Sequence, residues 1–171
     1  MLKPTPDCKV ERHYKFTVTD ATEQIPKIND PDRITDIVFQ VGLNDTRKGI
    51  SSEKVCNDTL EMQLAYKKHL KNARQHIAAL PPLDDPQIET NTKLQRLANQ
   101  TNSNFVSTKE FRDRSTGRLR MNTMHDYHYN NIGIKILSKE IKKSLFAESN
   151  LNDDTLTQLA NMRSRMSVNS V

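Results

Sequence analysis

Glycine is scarce. The 171-residue chain has four, at positions 42, 49, 117 and 133, too few and too dispersed for a glycine-rich loop that cradles phosphates. Tryptophan is absent, aromatic residues make up 5% and hydrophobic residues 35%, and the mean hydropathy is −0.76. This composition suits a globular domain with polar loops, and no apolar run approaches the roughly 20 residues that span a bilayer. The opening "MLKPTPDCKVER" holds two prolines and no apolar stretch, so no secretory signal is read there and a cytoplasmic chain without membrane contact is expected. Cys8 and Cys56 lack metal-type spacing and read as free thiols in a reducing compartment. His13, His69 and His76 are scattered: the first is read as a strand-surface residue, the other two as structural residues of a helix. No metal or other cofactor is expected.

What the chain does have is an uneven charge. Residues 111–146 carry eight Lys/Arg against three Asp/Glu, which accounts for the whole net charge of +5; eighteen of each sign balance elsewhere. Arg112, Arg114, Arg118, Arg120 and the lysines after Gly133 therefore form either a solvated basic face or a surface for an anionic partner such as nucleic acid. Only Phe111, Tyr127 and Tyr129 interleave as aromatics, which gives base stacking weak support.

Hydrophobic periodicity predicts an alternation of strands and helices. Tyr14, Phe16 and Val18 alternate with polar residues, the period of a half-buried strand over His13–Thr19. "DATEQIPKI" makes one or two helical turns from an Asp20 cap until Pro26 stops them. "RITDIVFQV" (33–41) is a near-continuous β-branched run, expected as a strand covered on both faces. Ser51 or Ser52 caps a long helix to about His76, with Val55, Thr59, Met62, Tyr66, Leu70 and Ala73 on its buried face. "HIAALPP" (76–82) is a short strand, and "PQIETNTKLQRLANQTN" (86–102) a helix with Ile88, Leu94, Leu97 and Ala98 inward. "NFVS" (104–107) is a brief strand. "NIGIKILSKEIKKSLF" (131–146) is the last helix, with Ile134, Leu137, Ile141 and Leu145 inward and Lys135, Lys139 and Lys142 outward. Residues 1–12 read as irregular and 147–171 as a flexible tail. Such alternation implies an α/β fold with parallel pairing, whose site lies outside the carboxyl ends of the strands. Gly42 to Asp45 then stand at the edge of that site.

Two short blocks carry a family resemblance. Gly42-Leu43-Asn44-Asp45, following a buried strand, resembles the third block of the SGNH (GDSL-type) hydrolases. "HDYHYNNIGIKILSKEI" resembles that family's last block, His-X-Asn-X-X-Gly at the start of a helix, with His128, Asn130 and Gly133 in the three positions. The resemblance spans residues 33–146 and extends weakly back to His13. It implies a three-layer, flavodoxin-like parallel sheet over 13–146 and a small ester substrate. Asn44 would donate its amide to the oxyanion, and His128 would be the general base. Gly42, Asp45, Asn130 and Gly133 would support them.

The family usually carries Asp three residues before the His. Here that position is His125, and Asp126 lies two before. Either Asp126 reaches the ring through a local twist of the loop, or the orienting carboxylate is absent. No Gly-Asp-Ser occurs anywhere in the sequence, so no nucleophile is assigned, and the second-block glycine has no match either. The expectation is a partial SGNH domain lacking its first strand and inactive by itself. In the family's 2-1-3-4-5 strand order, the loss would leave two non-neighbouring strands either to close up or to keep an open seam prone to association.

Overall fold

The computed structural model describes residues 17–108, 129 and 131–146. Within them the chain forms helices α1 (Val18–Thr22), α2 (Leu43–Arg47), α3 (Ser52–His69), α4 (Asp85–Gln100) and α5 (Asn131–Leu145), and strands β1 (Asp36–Phe39), β2 (Arg74–Ala78) and β3 (Asn104–Val106). The strands make one parallel sheet in the order β1-β2-β3. The expected α/β architecture with parallel pairing is therefore present. The outer parts of the sequence, 1–16 and 147–171, lie outside the described residues.

Register assigns the sheet two faces. Asp36 pairs with Arg74, Val38 with His76, and His76 with Asn104, so these side chains share one face by the two-residue period of a strand. The opposite face carries Phe39, Gln75, Ile77 and Phe105. There α3 and α4 pack: Ile77 joins Leu60, Leu94 and Leu97 in one apolar cluster. Phe39 meets Tyr66 of α3 edge-on, with ring centroids 5.0 Å apart, a contact worth about 1 kcal/mol beyond its burial. Two crossovers running in the same direction put both connecting helices on one face. α5, after β3, covers the other: its Ser144 meets His76, and Arg74 Nη2 donates to the Leu145 carbonyl.

Several expected boundaries move, each for a local reason. Val18 and Thr19 are helical, not the end of a strand. Thr17 accepts from the Asp20 N–H while the Asp20 carboxylate accepts from the Thr17 N–H, a capping box that starts α1 one turn before the expected Asp20 cap. The remainder of that expected strand, His13–Phe16, lies outside the described residues. The long helix starts on Ser51 as expected but ends at His69. Leu70 and Ala73 stay buried in the turn that follows, so their spacing continues the helical pattern without the helix. His76 is consequently a strand residue, not a helical one. β1 spans Asp36–Phe39 and only Phe39 is fully buried, which corrects the expectation of full cover on both faces. On α4, Gln87 and Thr90 face inward while Ile88 is 44% exposed. On α5, Ile134 is exposed, Leu137, Ile141 and Leu145 are half-buried, and Lys135, Lys139 and Lys142 face outward.

Candidate active site

The carboxyl ends of β1, β2 and β3 form one rim, and the residues just beyond β1 set its shape. Gly42 has φ +103°, and a Cβ there would lie 2.9 Å from Val55 Cγ1. Positive φ and the missing side chain let the chain leave β1 and enter α2 directly against α3. Asn44 lies half-buried in α2, and its carbonyl accepts from the Lys48 N–H.

Asp45 is 6% exposed, and its Oδ2 accepts from the Val18 N–H at 3.1 Å. It thus ties α2 to the start of α1. Burial pushes its carboxyl above the usual range, against the hydrogen bonds from the Val18 and Asp45 N–H groups and despite Lys48 nearby; Asp58 pushes it the same way as burial. Thr46 donates to the Leu43 carbonyl and accepts from Gln87 Nε2, which joins α2 to α4.

The end of β2 is fixed by Asn91 of α4. Its Oδ1 accepts from the Leu80 N–H at 2.6 Å and its Nδ2 donates to the Leu80 carbonyl at 2.8 Å. Thr108, beyond β3, donates to the same carbonyl. The segments beyond β2 and β3 are thereby tied by side chains that bond to main chain.

The two blocks singled out in the sequence fare differently. Gly42, Asn44 and Asp45 are on the rim. Gly133 is buried in the first turn of α5. His128, Asp126 and Asn130 lie outside the described residues, as does the arginine cluster 112–120. Tyr129, between His128 and Asn130 in the chain, is described: its hydroxyl accepts from Gln40 Nε2 at 3.3 Å. Gln40 directly follows β1 and stands four residues before Asn44. Burial pushes the Tyr129 phenol well above its ordinary value, opposed by the Gln40 hydrogen bond.

A second polar constellation, absent from the sequence-based reading, occupies the amino-terminal rim. His76 is fully buried. Its Nε2 lies 3.0 Å from Asp36 Oδ1 and its Nδ1 2.7 Å from Ser144 Oγ. Asn104 Nδ2 stands 3.3 Å from the same Nδ1, and Arg74 Nε pairs with Asp36 at 2.8 Å. The carboxylate keeps the neutral ring's proton on Nε2, so Nδ1 accepts from the Ser144 hydroxyl. Burial lowers the His76 pKa, with Asp36 opposing and Arg74 reinforcing the shift. Burial also works against ionisation of Asp36, but hydrogen bonds from Arg74, His76 and Thr35 outweigh it and hold that carboxyl below its usual range.

The order Ser–His–Asp is that of a hydrolytic triad, but the imidazole is sealed between sheet and helix, and its partners come from three other elements. It serves here to anchor α5. The only sequence signal was the pair Arg74 and His76 on one face of a short strand, a polar stripe that some helix must cover.

Among the described residues no group of three His, Cys, Asp or Glu could hold a metal ion, and no helix is long and apolar enough to cross a membrane. The chain matches no family model, no curated protein and no solved structure.

Proposed function

We propose that the carboxyl-end rim is an SGNH-type ester-hydrolase site on a flavodoxin-like sheet, with the Asn44 amide as oxyanion donor and His128 as general base. This chain supplies no nucleophile to it. One observation carries the reading: the Gln40–Tyr129 hydrogen bond holds the residue beside His128 against the strand that delivers Asn44. Two features support it. The parallel order β1-β2-β3 agrees with the successive third, fourth and fifth strands of the family's order. α5 also begins directly after the His128 block, with Gly133 buried in its first turn.

An amide aimed at an oxyanion in a dry site is worth about 3 kcal/mol, whereas loss of a triad serine costs about 10⁶-fold in kcat. The expected outcome with a fluorogenic short-chain ester is hydrolysis by the purified chain no faster than by its His128→Ala variant. Turnover abolished by His128→Ala would overturn the absence of a nucleophile.

A second reading, binding of single-stranded nucleic acid, is favoured by the outer face of α5. Lys135, Ser138, Lys139, Lys142, Lys143 and Phe146 line an open groove of about 540 Å³, and Phe146 is 84% exposed. With Lys143 paired to Glu140, Lys135, Lys139 and Lys142 meeting phosphates would give a log–log salt dependence of roughly −2, with a base stacked on Phe146. Oligonucleotide binding that follows this slope and weakens in Phe146→Ala supports it; no binding at low salt removes it.

A further inference from the structure

We propose that Asp36, His76, Asn104 and Ser144 form an acid-sensitive latch that holds the C-terminal end of α5 on the sheet. The inference stands on these residues alone and does not need the ester-hydrolase reading. Three observations carry it.

The first is the partial burial of α5. Among the described residues the sheet face it covers offers Val38, Ala78 and Val106 beyond the polar rim, and on the helix Ile136, Leu137, Ile141 and Leu145 are half-buried while only Gly133 is fully buried. A half-buried helix with a polar anchor at its end opens at lower cost than a fully buried one.

The second is the hydrogen-bond polarity of the latch. In the neutral ring Nε2 donates to Asp36, and Nδ1 accepts from Ser144 and Asn104. A proton on Nδ1 turns that acceptor into a donor, which faces one fixed donor, the Asn104 amide, and one hydroxyl that can turn to accept from it. The Asn104 amide must turn over or lose its bond.

The third is the charge around the ring. β1 presents Asp36, and β2 itself presents Arg74. β3 presents the neutral Asn104. α5 presents the Ser144 hydroxyl and the Leu145 carbonyl, while its Glu140 and Lys143 pair with each other. Among the described residues only Asp36 favours the protonated ring, Arg74 opposes it, and burial prevails against the charge.

The sign follows. With α5 docked, burial holds the His76 pKa below the ordinary imidazole value of 6.5; with α5 lifted, the ring meets water and that lowering is relieved. The lifted state therefore binds more protons, and acid favours it. One proton is linked, so the docking equilibrium weakens by at most tenfold per pH unit below about 6.5 until the docked ring itself titrates.

The test is hydrogen–deuterium exchange of the full chain between about pH 7.5 and about pH 5, with rates divided by intrinsic exchange. The expected result is a protection loss of up to about tenfold per pH unit in the C-terminal half of α5, with α3 unchanged. In His76→Gln, which can donate to Asp36 and accept from Ser144 but cannot titrate there, α5 protection should be independent of pH. Unchanged or rising α5 protection on acidification overturns the latch, as does a pH dependence that survives in His76→Gln. Should that variant fail to fold, ring-nitrogen NMR of the unaltered chain decides. His76 titrating together with loss of α5 protection supports the latch, and titration with α5 still protected overturns it.

Discussion

The two ends of the sheet are held by different chemistry. At the carboxyl end most fastenings run from side chain to main chain: Asn91 to Leu80, Asp45 to Val18, Thr108 to Leu80, with Gly42 turning the backbone, while Gln87–Thr46 and Gln40–Tyr129 join side chains. At the amino end they run mainly from side chain to side chain, through Asp36, His76, Asn104 and Ser144. A clamp on an amide or carbonyl keeps its donor and acceptor roles at every ordinary pH. A relay through an imidazole does not. The comparison suggests a division of labour, in which the end proposed to carry chemistry is rigid and the opposite end is adjustable.

The hardest blow to this contrast falls on the rigid end. Gly42→Val places a branched side chain at positive φ and against Val55. Strain and overpacking together should cost about 4 kcal/mol in urea unfolding. Asn91→Ala strips the buried Leu80 N–H of its partner and should cost about 2 kcal/mol, equally at pH 5 and pH 7.

The amino end should answer differently. Asp36→Asn weakens the bonds to His76 and Arg74 and should cost about 1.5 kcal/mol near neutrality. Because the folded carboxyl is held below its ordinary value of 3.8, this contribution is present above that pH. It is lost as pH falls from there through the lower folded value, so the gap between variant and parent should close only below about pH 3.8. Equal losses across pH for Asn91→Ala and Asp36→Asn would erase the distinction.

The smallest effect belongs to Gln40→Ala on the exposed rim: less than about 0.5 kcal/mol in stability, yet a clear shift in the Tyr129 ring resonances by NMR. No shift would mean that the Gln40 contact does not set Tyr129.

Periodicity made α3, α4 and α5 legible, because each runs long enough for the period to repeat, while β1 and β3 were read from short apolar runs. It failed where two signals overlapped. Val18 fits the alternation begun by Tyr14 and Phe16, but the Thr17–Asp20 capping box decides the local backbone. Leu70 and Ala73 extend the stripe of α3 although the helix has ended, and that shift put His76 in the wrong element. Gly42 was readable as the end of β1, where positive φ calls for glycine, but the helix α2 that follows it was not expected. The His76 relay was not readable, because it depends on the register of three strands and the docking of a fourth element, none of which a single sequence displays.

The account rests on two distant stretches of chain sharing one rim. A nitroxide attached to Asn44→Cys, with Cys8 and Cys56 replaced, reports this by paramagnetic broadening of the His128 ring signals. The account predicts that those signals are broadened strongly and recover when the label is reduced. His128 signals of unchanged width would contradict it.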